Sequence, residues 1–281
     1  ILVLLFYAFR QLQTPTNLLL LSLAVSDLFI GFIMLFQIML IDGCWFLGDL
    51  MCTLYIFFDS VVSNTSVGIM MLISIDRYVA ICDPLHYSTK VTPKRVSVWV
   101  LLCWIFFIFY VSLQIKEDFD QPGRFNTCAG ECVMICKIVD QVIDMIFTFL
   151  IPIIVIVVLY MRVFVVAVSQ ARAMRSHIAA VSLQRSVKVT VKKSEMKAAG
   201  TLGVVIVVFL ICMCPYFGDT MTGQDTLLNS SSAAFIIWLY YFNSCLNPMI
   251  YAFFYPWFRK SIRLIVTLQI LKPGSCETNM L

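Results

Sequence analysis

Asp59 sits where carboxylates are rare. It lies inside the stretch CTLYIFFDSVVSNTSVGIMMLISIDRY, residues 52–78. About 20 apolar residues cross the hydrocarbon core of a bilayer, and a charge at that depth is expensive unless it is paired or hydrated. No Lys or Arg lies in the central part of any apolar run, so an ion pair within the chain is not on offer. The remaining partner is a ligand cation, an ammonium group held by charge-assisted hydrogen bonds. A second carboxylate, Asp144, lies eight residues before Pro152, near the outer end of another run. Asp144, Phe147, Thr148 and Ile151 follow the spacing i, i+3, i+4, i+7, which predicts one shared helical face. Neighbouring helices pack about 8–10 Å apart. Two carboxylates on facing helices could therefore hold both ends of a dication of about that length, which favours an alkyl diamine or polyamine. If Asp144 is instead protonated, or paired with Lys137, a monoamine is the alternative.

The elements that must position these groups are helices in a membrane. The chain has 281 residues, of which 61% are hydrophobic and only 13% charged, against about 25% charged in soluble domains. Long apolar runs, rather than short alternating segments, favour helices over a barrel. Runs recur at residues 1–9, 18–41, 52–75, 96–114, 142–168, 201–218 and 233–254. The expected fold is an all-α bundle of seven spans over residues 1–255, with the first helix cut short. Residues 256–281 are expected to form an amphipathic surface helix and a cytoplasmic tail. In that helix Trp257, Phe258, Ile262, Leu264, Ile265 and Leu268 fall mostly on one side, and Arg259, Lys260 and Arg263 toward the other.

One set of loops holds 17 of the 20 Lys and Arg residues. The positive-inside rule makes that side cytoplasmic, with the N-terminus outside and the C-terminus inside. Nine of the 16 acidic residues fall at the opposite mouth, and a mouth of one charge sign attracts counter-charged ligands. Five cysteines face the same side: Cys44, Cys52, Cys128, Cys132 and Cys136. Disulfides are permitted there, and their odd number leaves one over. Asn229-Ser230-Ser231 is a glycosylation sequon in an outer loop.

Several motifs coincide in order. LAVSD ends on Asp27, Cys52 opens the third run, and Asp76-Arg77-Tyr78 closes it. Trp104 lies in the fourth run, Pro152 and Tyr160 in the fifth, Phe209 and Pro215 in the sixth, and Asn247-Pro248-Met249-Ile250-Tyr251 in the seventh. Together they resemble the rhodopsin-like G-protein-coupled receptors over essentially the whole chain. A narrower resemblance lies in Asp59, seven residues after Cys52 and eighteen before Arg77. It is reinforced by Trp238 and Tyr241, ten and seven residues before Pro248. NSCLNPMIYAFFYPWFRK (243–260) and TPTNLLLLSLAVSDLFIGF (14–32) are similar to trace amine-associated receptors, and a fish-type olfactory member is expected.

That resemblance implies an amine pocket of Asp59, Asp144, Ser63, Tyr216, Phe217, Trp238 and Tyr241, whose aromatic faces would receive the ammonium. It implies a sodium site at Asp27, Ser66, Asn243, Ser244 and Asn247, biasing the resting state. It implies a switch in which Asp76 and the distant Glu195 restrain Arg77, beside Tyr78, with Tyr160, Phe209, Pro215, Pro248 and Tyr251 rearranging on activation. It implies a Cys52–Cys132 disulfide. The partners expected are a small amine or diamine, a heterotrimeric G protein of stimulatory type and the lipid bilayer, at the plasma membrane. No nucleic acid is expected, nor any cofactor beyond the sodium ion. One departure stands out: relatives carry Trp where this chain has Met213, two residues before Pro215. Met packs adaptably, so the expectation is either a relay through Phe209 or an altered basal activity. An amine transporter would need internal repeats and broken midplane helices, which the sequence lacks. With two His and no nucleophile–base set, an enzyme is not expected.

Overall fold

The computed structural model describes residues 14–41, 45–116, 120, 132, 138–180, 186–221, 231–254 and 256–267. The described elements are α1 (Pro15–Ile41), α2 (Asp49–Cys82), α3 (Tyr87–Lys90), α4 (Pro93–Gln114) and α5 (Ile138–Asp144). A π-helical segment (Met145–Leu150) follows, then α6 (Ile151–Ala180), α7 (Ser186–Met221), α8 (Ser231–Phe254) and α9 (Pro256–Val266). The predicted first run, the sequon at Asn229 and Leu268 lie outside the described residues. So do the loop cysteines other than Cys132.

Six predicted spans appear as helices, each longer than its apolar run. Four described stretches are long and apolar enough to cross a membrane: Pro15–Leu40, Asp49–Cys82, Pro93–Gln114 and Gln141–Ser169. The ends overrun the runs because polar residues cap and continue a helix beyond hydrocarbon. Thr92 accepts a hydrogen bond from the backbone N–H of Arg95, with Pro93 in the first turn of α4. Gly48 enters α2 at φ 78°, a left-handed value that favours glycine. Trp45 Nε1 closes that corner by donating to the Gly48 carbonyl at 2.9 Å.

Helix α2 is the hub. It packs against α1, α4, the π segment, α6 and α7, while α8 closes on α1 and α7. Its approach to α4 requires glycine at position 68. A Cβ there would stand 2.6 Å from Cys103 Sγ and 2.8 Å from Phe107 Cε2. Across α1 and α4, Trp104 Nε1 donates to Ser22 Oγ at 3.2 Å. The core runs through Leu19, Leu23, Ile69, Met70, Ile73, Phe209 and Met213. The outer faces stay apolar: Leu101, Ile105, Phe106 and Phe109 of α4, with Ile154, Val158 and Phe164 of α6, are all exposed. An exposed apolar surface of that extent suits a bilayer rather than water. On α9, Phe258 is buried while Arg259, Lys260 and Arg263 face solvent, as the amphipathic pattern predicted.

Candidate functional site

Cys52, Tyr55, Asp59 and Ser63 recur every three or four residues, so α2 presents them along one face. The outer end of that face is pinned by a disulfide between Cys52 and Cys132, with Cα atoms 5.6 Å apart. Below it, Ser63 of α2 and Tyr241 of α8 are the polar neighbours of the Asp59 carboxylate. Yet Asp59 Oδ1 is buried with no partner within hydrogen-bond distance, and Ser63 Oγ is in the same condition. Among the described residues no cation pairs with Asp59. A buried carboxylate oxygen left without a donor favours an incoming one. An ammonium group supplies both the N–H and the opposite charge.

An aromatic ladder walls this site. Phe149 of the π segment stacks on Phe217 of α7 at 4.0 Å between ring centroids. Tyr216 lies 5.4 Å from Phe217 and 4.6 Å from Tyr240 of α8, which stands 5.2 Å from Tyr241. Tyr216, Phe217 and Tyr241 of the expected amine pocket belong to this ladder, together with Tyr240 and Phe149, which the sequence reading did not name. Tyr240 neighbours Ser63, Asp59 and Tyr216. Trp238 is half-buried on α8, and among the described residues no ring contact joins it to the ladder.

Asp144 requires a correction. Its predicted face assumed an uninterrupted α-helix, but the π segment begins at the next residue. In a π turn the bond runs i to i+5, so α-helical spacing no longer marks one side. Phe147 and Ile151 are exposed, whereas Thr148 is buried. Thr148 Oγ1 donates to the Asp144 carbonyl at 2.8 Å. The Asp144 carboxylate is turned toward α4, where Oδ1 accepts from Tyr110 Oη at 3.3 Å and Gln114 Nε2 at 3.2 Å. Gln114 also donates to Tyr110 Oη at 3.0 Å. Sequence reasoning missed both residues; a Gln four residues after a Tyr at the outer end of an apolar run was the available signal. Lys137, the alternative partner considered for Asp144, lies outside the described residues.

Deeper in the bundle, Asn247 Nδ2 donates to both carboxylate oxygens of buried Asp27, at 3.2 and 3.3 Å, and Ser244 is a further hydrogen-bonding neighbour. Ser66 Oγ, Asn243 Oδ1 and Asn247 Oδ1 are buried without a partner. A buried carboxylate near unpartnered oxygens of Ser66, Asn243 and Asn247 offers the donor chemistry that a hard cation would use.

At the far end of α2, Asp76 is nearly fully buried. Arg77 donates to Asp76 Oδ2 through Nε at 3.0 Å and also through Nη2. Thr16 Oγ1 donates to the same oxygen at 2.9 Å, and Tyr87 Oη donates to Oδ1 at 2.8 Å. Arg77 Nη2 also donates to Thr16 Oγ1. Thr16 and Tyr87 were not foreseen. The side chains of Glu195 and Tyr251 lie outside the described residues. Tyr78 packs beside Ile81 and Val163, and Tyr160 lies against Gly203. Phe209 and Met213 are buried together, and Pro215 and Pro248 lie inside α7 and α8.

The profile of the 7 transmembrane receptor (rhodopsin family) matches residues 1–251. Trace amine-associated receptor 13c of Danio rerio is 37% identical, over 97% of this chain and 82% of its own length. Trace amine-associated receptor 9 of Rattus norvegicus is 37% identical over 97% and 83%. The chain belongs to the trace amine-associated receptors of the rhodopsin family. Trace amine-associated receptor 4 of Mus musculus, 35% identical over 97% and 81%, is similar over the same extent. Membership makes the chain a seven-helix, multi-pass plasma-membrane receptor and not an enzyme. Residues 1–251 hold every functional group described above.

Proposed function

We propose that this trace amine-associated receptor is activated by extracellular amines, and specifically by alkyl diamines or polyamines held between Asp59 and Asp144. The observation that carries the reading is the buried, donorless Oδ1 of Asp59 in a membrane helix. The names of its relatives, trace amine-associated receptors, point to the same ligand class. The mouth lies outside and the basic loops inside, where a heterotrimeric G protein of stimulatory type docks on the Arg77 end of α2. Ligand bound at the mouth favours an outward tilt of the inner end of α7. Sodium at Asp27 favours the resting state, which binds it better. An olfactory role fits a sensor of small volatile amines.

The test is a cyclic-AMP assay with diamines of graded length beside matched monoamines. Replacement of Asp59 by Asn is expected to abolish both responses. Asp144→Ala is expected to weaken diamines by about tenfold to a hundredfold, the range for one charged hydrogen-bonded contact, and to spare monoamines. Equal loss for both ligand sets would remove the two-carboxylate reading. It would favour a monoamine receptor, in which Asp144 only serves the contacts to Tyr110 and Gln114.

A further inference from the structure

Gln37 interrupts an otherwise apolar stretch of α1, FIMLFQIML (32–40), and its side chain is buried. A primary amide placed there needs partners. Its Oε1 accepts from two phenols, the hydroxyl of Tyr55 on α2 and that of Tyr241 on α8, the latter at 3.5 Å. A phenol has one proton to give and lone pairs to receive with. Tyr241 stands within reach of Asp59 as well as Gln37. The Tyr55 hydroxyl is a third neighbour of the Tyr241 hydroxyl, and the single Tyr241 proton can serve only one acceptor at a time. Given to Gln37, it leaves the Tyr241 oxygen as an acceptor and leaves Asp59 Oδ1 without a donor, as observed. Ser63 Oγ, also buried and without a partner, is the other polar neighbour of the Asp59 carboxylate.

We infer that Gln37 is a positioning residue that makes the pocket select primary amines: it holds the Tyr241 proton away from Asp59, so that carboxylate and phenol oxygen both receive N–H groups of the ligand. A primary ammonium has three N–H donors and can satisfy Asp59, Tyr241 and Ser63 together. A tertiary ammonium has one, which Asp59 takes, and its methyl groups then face oxygens that nothing satisfies. Gln37 touches no ligand in this arrangement and acts through Tyr241. The inference rests on the proposed amine site at Asp59 and adds the class of amine and the residue that sets it.

The experiment compares an alkyl diamine with its counterpart dimethylated at both nitrogens, using full-chain receptor at matched surface density and second-messenger dose–response curves. The readout is the ratio of half-maximal concentrations. Gln37→Met, similar in length but without the acceptor, is expected to narrow that ratio by about tenfold, the worth of one charge-assisted hydrogen bond. Gln37→Glu retains an acceptor for both phenols and is expected to keep the ratio. Tyr241→Phe should narrow it as much as Gln37→Met, and the double variant no further, since both remove one contact. An unchanged ratio in Gln37→Met, or losses that add in the double variant, overturns the inference. If Gln37→Met fails to reach the surface, an unchanged ratio in Tyr241→Phe overturns it equally. Asp59→Asn separates the two levels of the argument. If wild type answers neither compound, or Asp59→Asn answers both as wild type does, the amine site itself is wrong. If Asp59→Asn is silent while Gln37→Met keeps the wild-type ratio, only the role of Gln37 is wrong.

Discussion

Replacing Tyr87 by Phe should make the receptor leak. Asp76 gathers Thr16, Arg77 and Tyr87, and of its described contacts only the one from Tyr87 reaches Oδ1. A hydrogen bond to a charged group contributes about 1.5–3 kcal/mol when well buried. Tyr87 is half-buried, so water replaces part of the lost bond, and about 1 kcal/mol is the reasonable figure. If the contact exists only in the resting state, its loss shifts the resting-to-active ratio by about fivefold. The assay is basal cyclic AMP per surface receptor with no ligand present. Burial, and then the neighbouring Asp76 carboxylate, push the Tyr87 phenol up from 10.0 to about 12. The stability linked to its proton is fully present below the ordinary value of 10.0 and is lost only as pH rises through about 12. The variant's excess basal activity should therefore be the same at pH 6 and pH 8. Basal activity within the scatter of wild type would refute the claim that this phenol restrains Asp76. So would an excess that vanishes at pH 8.

Two further outcomes follow from packing and ion chemistry. Gly68→Val should destabilise by about 1–3 kcal/mol, the usual range for overpacking, because its Cβ would meet Cys103 Sγ at 2.6 Å and Phe107 Cε2 at 2.8 Å. A lower thermal midpoint in detergent, partly restored by adding Cys103→Ala, is the expected result, and an unchanged midpoint would contradict the close helix approach. Asp27→Asn should remove any dependence of agonist affinity on sodium, measured against an equal concentration of a large organic cation. Sodium sensitivity that persists in the variant would place the ion elsewhere.

Much of this arrangement was legible in the residues because a bilayer leaves little freedom. Asp59 announced itself as a charge in hydrocarbon, and Asp27, Asn247 and the Cys52–Cys132 pair lay in positions the resemblance could name. What escaped was of two kinds. The bonds of Tyr87 and Thr16 to Asp76, and of Tyr110 and Gln114 to Asp144, join distant segments. Only packing brings such partners together. The π segment escaped because Met-Ile-Phe-Thr-Phe-Leu is apolar on nearly all sides and so has no period to read. Gln37 was a missed opportunity: an amide in an apolar run asks for buried partners as plainly as Asp59 asks for a cation.

The π segment also changes how distances along the chain translate into directions. Each α-helical residue turns the chain by about 100°, and a π turn accommodates one residue more than an α turn before returning to the same side. Two receptors can thus share Pro152 and the length back to residue 144 while pointing that residue at different neighbours, if only one is wound this way. Deleting Phe147, whose side chain is exposed, would leave the other side chains of the mouth chemically intact, yet swing Asp144 by about a quarter turn relative to α6. Ligand preference in such a receptor could change through winding alone, with no exchange of any residue that touches the ligand.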